Sequence, residues 1–179
     1  MHMSAISELL AEVPKPPGEG LPPGLADADL QAFSERTGIP LPPDFAQWLK
    51  FSNGPCVGPG GVFGIGTSRS ALDIESYLTI YPAWKLKKWI PVAGDGCGNY
   101  YLLATQGEFG PGFPVFFVDT SASSNSPAYI AASDIEHFLI FLLEKELGRT
   151  RWPFDRATVA EQDPMVFHFQ KVPLPWASG

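Results

Sequence analysis

The chain is 179 residues long, 45% hydrophobic and 13% aromatic, enough for one domain that buries roughly 70% of its unfolded surface without help from metal or disulfide. Its formal net charge of −7 argues against nucleic acid as a direct ligand, because neutralising phosphates needs clustered Lys and Arg. Cys56 and Cys97 form no metal-ligand spacing, no stretch approaches the ~18 apolar residues of a membrane span, and the N-terminus lacks the basic region and apolar run of a signal peptide. The expectation is a cytoplasmic protein with reduced thiols, no membrane segment and no cofactor; His2-Met3 has the look of a cloning remnant.

Ser4 to Val13 is predicted as a helix, with Ile6, Leu9, Leu10 and Val13 at i, i+3, i+4 and i+7. Pro14 ends it, and the run to Gly24 (PKPPGEGLPPG) reads as a semi-rigid, extended connector. Residues 1–24 are therefore an N-terminal helix and Pro-rich arm, residues 25–148 the main domain, and residues 149–179 a tail wrapping it. Asp27 is expected to cap a second helix that carries Leu30 and Phe33 and is closed by Gly38. After the stiff link Ile39-Pro40-Leu41-Pro42, Pro43 suits the first turn of a third helix. That helix buries Phe45, Trp48 and Leu49 and stops at Asn53-Gly54.

The glycine-rich residues 58–66 hold one short strand, Val62 to Ile65. Ser70 with Asp73 resembles a capping box for a helix with Ile74, Tyr77, Leu78 and Tyr81 on one stripe, ended by Pro82. Trp89 to Ala93 and Tyr100 to Leu103 form a hairpin across Gly94-Asp95-Gly96-Cys97-Gly98-Asn99, residues that tolerate the positive φ of a turn. Pro91 lacks a donor, so its strand belongs at a sheet edge or a bulge. Phe113 to Val118 is nearly all apolar and reads as central; Ala128 to Ala131 is a fourth strand. Ser133-x-x-Glu136 forms a capping box before the strongest helix, whose stripe is Ile135, Phe138, Leu139 and Leu142, with Lys145 and Arg149 suiting its C-terminal dipole and Gly148 ending it. In the tail, Trp152-Pro153-Phe154 and Val166-Phe167-His168-Phe169 are apolar anchors without a clear period. The order is α+β: a single domain whose mostly antiparallel sheet of about 4–6 strands is packed by helices.

No motif for catalysis or phosphate binding is complete. Gly94-x-Gly96 runs on to Asn99 where a dinucleotide fingerprint needs glycine, and Gly66-Thr67-Ser68-Arg69-Ser70 fails GxSxG. A Cys97/His137 pair is conceivable, yet nothing in the sequence brings the two together. His168, between two phenylalanines, reads as pointing outward from a strand-like segment. Asp95 and Asn99 offer oxygens to a cation, but a calcium loop needs more carboxylates, and Asx-turn hydrogen bonds are the plainer reading. Trp84, Tyr100 or Tyr101, and Trp176 are candidate exposed aromatics. Strand alternation puts Tyr100 and Tyr101 on opposite faces. An exposed tyrosine beside Asp95 would suit a protein-binding hot spot, the other reading being core. Residues 89–148 hold Asp95, Glu108, Asp119, Asp134, Glu136, Glu144 and Glu146 against Lys145 alone, a balance of −6; this suits a basic protein partner or simply solubility.

The ordered set of these pieces resembles the SUKH superfamily, and within it the Smi/Knr branch, named for a fungal cell-wall-assembly regulator and abundant in bacteria. The residues that carry the resemblance are Gly38 with Ile39-Pro40-Leu41-Pro42, then Phe45, Trp48 and Leu49, then Asn53-Gly54 and Gly64-Ile65. Trp89-Ile90-Pro91-Val92-Ala93 follows, then Gly94 to Tyr101, Pro114-Val115-Phe116-Phe117 and the helix Phe138 to Leu143. Pro173-Leu174-Pro175-Trp176 resembles a tail of some bacterial members. The resemblance implies a SUKH-like α+β domain without enzymatic activity, in which Asn53, Gly54, Trp89, Pro91, Gly96 and Gly98 serve the scaffold. Through the bacterial members it implies an immunity protein that binds and neutralises a cognate toxin domain. The family lends no toxin-contacting residue; from the residues themselves, the partner would be a protein with a basic surface, met by Trp84, Asp95, Asn99, Tyr100 and Tyr101. The alternative is a regulatory or scaffold protein with no toxin partner. A third reading is a small-molecule enzyme or sensor using the glycine-rich loops with Asp95 and Asn99.

Overall fold

A computed structural model describes residues 3–177, so His2 lies outside the described residues. Its sheet has four antiparallel strands in the order β1 (Trp89–Gly94), β2 (Tyr100–Ala104), β3 (Val115–Val118) and β4 (Tyr129–Ala132). The helices among the described residues are α1 (Met3–Glu12), α2 (Asp27–Thr37), α3 (Pro43–Phe51), α4 (Ile74–Ile80), α5 (Pro82–Leu86), α6 (Ile135–Glu146) and α7 (Arg156–Gln162). The fold is α+β, as the order of elements predicts.

Alternation along β2 sets the layers. Tyr100 turns toward α4 and α5, with ring centroids 4.9 Å from Tyr77 and 5.5 Å from Trp84. Tyr101 turns to the opposite face, 5.0 Å from Phe138 of α6. Helices thus cover both faces, which is why β1 to β4 are apolar almost throughout. Against α6 pack α1 and α3, so that Ile6, Leu9 and Leu10 share one core with Trp48, Phe138 and Leu139.

Both sheet edges are covered, which removes the exposed ladder that invites aggregation. At β1 the Phe63 N–H donates to Val92 O at 2.8 Å and the Gly94 N–H to Gly61 O at 3.3 Å. The strand expected at Val62 to Ile65 is reduced to two isolated bridges, Val62 to Ala93 and Gly64 to Asp73. The chain leaves β1 at Gly64, which exchanges hydrogen bonds with Leu72 and Ile74 instead. Pro91 sits at both features predicted for it: β1 is an edge strand, and its pairing shifts register between Pro91 and Ala93. At β4 the Ile130 N–H donates to Pro173 O at 2.9 Å, and the Trp152 indole N–H to Ala131 O at 3.0 Å.

Three helix starts differ from expectation. Ala26, not Asp27, is the N-cap of α2, and the Asp29 carboxylate accepts its N–H at 3.1 Å. Ser70 opens only a 3-10 turn (Ser70–Leu72); Asp73 caps α4 by accepting the Ser76 N–H at 2.9 Å. Asp134, not Ser133, caps α6, accepting the His137 N–H at 2.8 Å. In the last two the helix starts later than the serine, and the aspartate at that start accepts the N–H three residues on. Pro82 does more than end α4: it occupies the first turn of α5. In the tail, α7 and a 3-10 turn (Pro164–His168) replace the expected aperiodic run. His168 therefore lies in that turn, exposed, and not on a strand.

Candidate functional site

The loop between β1 and β2 spends its polar groups on itself. Asp95 Oδ1 accepts the N–H of Cys97 at 2.7 Å and of Asn99 at 3.0 Å, while Oδ2 accepts the Asn99 carboxamide at 2.8 Å. Asn99 Oδ1 in turn accepts the Thr120 N–H at 3.1 Å, and the Thr120 hydroxyl donates to Gly98 O at 2.8 Å. This is Asx-turn chemistry that ties the hairpin to the loop after β3. Gly96 has φ 80°, and a Cβ there would stand 2.8 Å from Pro59 O, so only glycine fits. The tip itself, Gly96 to Gly98, is exposed.

The aromatic candidates divide sharply. Trp84 is fully buried, its indole N–H donating to Ser124 O at 2.6 Å and its ring stacked on Tyr81 at 4.1 Å. Tyr101 is also buried, between Phe117, Phe138 and Trp152. Neither is an exposed anchor: α5 carries Trp84 onto the sheet, and α6 covers Tyr101. Trp176 is half-buried, 6.0 Å from Phe167. Tyr100 alone of the tyrosine pair keeps a half-buried place, among Phe63, Tyr77, Tyr81 and Trp84. Burial pushes its phenol up to about 12, with the Tyr81 and Tyr77 phenols adding to the rise. Burial raises Tyr77 as well, and lifts Tyr101 to about 12. These phenols stay neutral near pH 7, offering hydroxyls and apolar rings instead of charge.

Sequence reasoning placed Tyr77 and Tyr81 on one helix stripe but did not join them to Tyr100. Their four-residue spacing, with the parity of Tyr100 on β2, is the signal that could have done so. Beside this cluster, Ile80 of α4 is 63% exposed and Leu86 of α5 is 83% exposed; neither figured among the expected contact residues.

The scaffold residues sit where a scaffold needs them. The Trp89 indole donates to the Glu108 carboxylate at 2.6 Å, and Gly54 and Gly98 have φ of 75° and 92°. His137 does not join Cys97; its Nδ1 lies 2.9 Å from Asp134 Oδ2. Cys56 and Cys97 are both free thiols. Of the seven carboxylates in residues 89–148, Asp95, Glu108, Asp119 and Asp134 accept hydrogen bonds from their own chain. Glu136 is buried, while Asp119 makes its hydrogen bonds at the surface. Among the described residues no group of three His, Cys, Asp or Glu could hold a metal ion, and no helix is long and apolar enough to cross a membrane.

Comparison with known proteins follows the same geometry. The family model for SMI1 / KNR4 (SUKH-1) matches residues 24–140, from the start of α2, through all four strands, into α6. A search of the curated proteins finds no match to the chain. A match over more than half the chain, spanning the whole sheet and the Asn53-Gly54 and hairpin motifs, makes this protein a member of the SMI1/KNR4 (SUKH-1) family.

Proposed function

We propose that the chain is a protein-binding immunity protein that neutralises a cognate toxin domain by occupying its surface, with no chemistry of its own. The observation that carries this reading is the exposed apolar pair Ile80 and Leu86 on the two short helices that cover Tyr100. Large apolar side chains left in water beside half-buried tyrosines have the composition of a contact patch. Asp95 is half-buried at the neighbouring hairpin. The chain's net charge of −7 would speed encounter with a basic partner. Family membership supports protein binding, and it is equally compatible with a cell-wall-assembly regulator that has no toxin partner.

Co-expression with the toxin encoded nearest to this chain tests the proposal. Growth should be rescued, and the purified chain should retain the toxin domain in a pull-down. Absence of protection, with several housekeeping proteins captured instead, would transfer the role to the regulator reading.

A further inference from the structure

The Pro-rich arm closes one side of a surface cleft that lies apart from the hairpin site. The cleft measures about 420 Å³, within the ~300–1,000 Å³ of small-ligand sites. Asn53-Gly54 forms its floor, Ser68 and Arg69 one wall, and the arm at Glu19 and Pro22 the other. Glu19 reaches across to Arg69: Nη1 donates to Oε2 at 3.1 Å and Nη2 to Oε1 at 2.5 Å. That is the two-pronged fork by which a guanidinium recognises a carboxylate. The Arg69 guanidinium also lies beside the Cys56 thiol, which lines the same cleft.

The two walls are held differently. On the Arg69 side, the Thr67 hydroxyl donates to Arg69 O at 2.8 Å and the Gly66 N–H to Asp73 at 2.8 Å. The arm is pinned downstream of Glu19, where the Ser52 hydroxyl donates to Pro22 O at 3.1 Å and the Asn53 N–H to Pro23 O at 3.3 Å. At Glu19 the backbone N–H closes a turn onto Pro16 O at 3.0 Å. The flanking Gly18 and Gly20 have open space where a Cβ would stand. The backbone of Arg69 is therefore anchored, and its exposed guanidinium faces a carboxylate carried between two glycines.

We propose that this cleft binds a carboxylate ligand on Arg69, with Glu19 as the intramolecular stand-in that the ligand displaces. The ligand's apparent affinity is then reduced by the fraction of molecules in which Glu19 holds the fork. The carboxylate could belong to a free small molecule or to the C-terminus of a peptide, and the test separates the two.

The full chain, labelled with nitrogen-15, is titrated with glutarate, with an acetylated tetrapeptide bearing a free C-terminus, and with the same peptide as its C-terminal amide. In Glu19→Ala the amides of Gly54, Thr67 and Ser68 should shift, with a Kd about two- to sixfold below that of the unsubstituted chain, as the loss of an exposed ion pair allows. Arg69→Gln should lose the response in both backgrounds. Saturation by glutarate assigns a small carboxylate; saturation by the free peptide and not its amide assigns a chain terminus. In a Cys97→Ser background the bound probe should also slow alkylation of Cys56. Both substituted side chains are exposed, so the variants should keep the fold. Unmoved amides in Glu19→Ala with every probe, or an undiminished response in Arg69→Gln, overturns the proposal.

Discussion

The Asn53 carboxamide pairs with both backbone groups of Ile65: Nδ2 donates to Ile65 O at 2.9 Å, and the Ile65 N–H donates to Oδ1 at 2.8 Å. The side chain thus stands in for a strand neighbour at the point where the chain has left the edge of β1. Asn53→Ala should leave the Ile65 N–H and C=O without their partner and cost about 2–4 kcal/mol. Asn53→Asp keeps the acceptor, loses the donor and should fall between. Urea unfolding measures both, and a loss below about 0.5 kcal/mol for Asn53→Ala would mean that the turn holds without the pair.

Asp134 and His137 make the start of α6 sensitive to pH. The Asp134 hydrogen bonds hold His137 above the usual imidazole range, with burial opposing them. Burial pushes Asp134 up, yet the hydrogen bonds from His137 keep it below the usual carboxylate range. Glu136 and the fully buried Asp163 also face the imidazole. A raised histidine stabilises the fold fully below about pH 6.5, and that contribution is lost as pH rises through its folded value. A lowered aspartate contributes above about pH 3.9 and loses its contribution as pH falls through its folded value. The pair is therefore most stabilising from about pH 5 to 6. Burial raises Asp163, against the Ser133 hydrogen bond, so its ionisation also weakens the fold as pH rises. His137→Gln should cost more stability at about pH 5.5 than at about pH 8.5. Equal losses at the two values would sink this assignment.

Two glycines separate close approach from backbone conformation. A Cβ on Gly60 would stand 2.5 Å from the Gly94 carbonyl carbon and 2.6 Å from its oxygen, with backbone on both sides. Gly98 has φ 92° but open space around it. Gly98→Ala should cost about 1–2 kcal/mol, the strain of the left-handed conformation. Gly60→Ala must push a loop off the end of β1 and should cost about 3 kcal/mol. Thermal or urea unfolding of the pair reads the order, and a reversed order would refute the close approach.

The sheet was legible because its signals are local. Glycines, Asp95 and Asn99 between two apolar runs fix the hairpin, the missing donor of Pro91 puts β1 at an edge, and the unbroken apolar run of β3 makes it central. The candidate site was less legible because its decisive contacts are distant or its elements short. Trp84 reads as exposed only if Pro82 is taken as a stop; the five residues of α5 that bury it carry no periodic signal. The ion pair of Glu19 with Arg69 joins residues 50 apart, and nothing near either residue announces it. The motif Asp95 to Asn99 reads as turn chemistry, and the Asp95 carboxylate closes the turn; the bond from Thr120 to Asn99, 21 residues away, has no local signal.

Burial also separates the residues that hold the scaffold from those free to meet a partner. Trp84 fills the layer between α5 and the sheet, so Trp84→Ala should cost about 3–5 kcal/mol. Trp84→Phe, which loses the bond to Ser124 O, should cost about 1–3 kcal/mol and speed amide exchange in residues 119–127. Ile80→Asp and Leu86→Asp remove apolar surface that already faces water, so each should change stability by less than about 0.5 kcal/mol. If α4 and α5 form the contact patch, the two aspartates together should weaken capture of the toxin domain by roughly 2 kcal/mol or more, a loss of at least about 30-fold. Intact binding in that double variant, measured beside its unchanged unfolding curve, would move the partner surface off these helices.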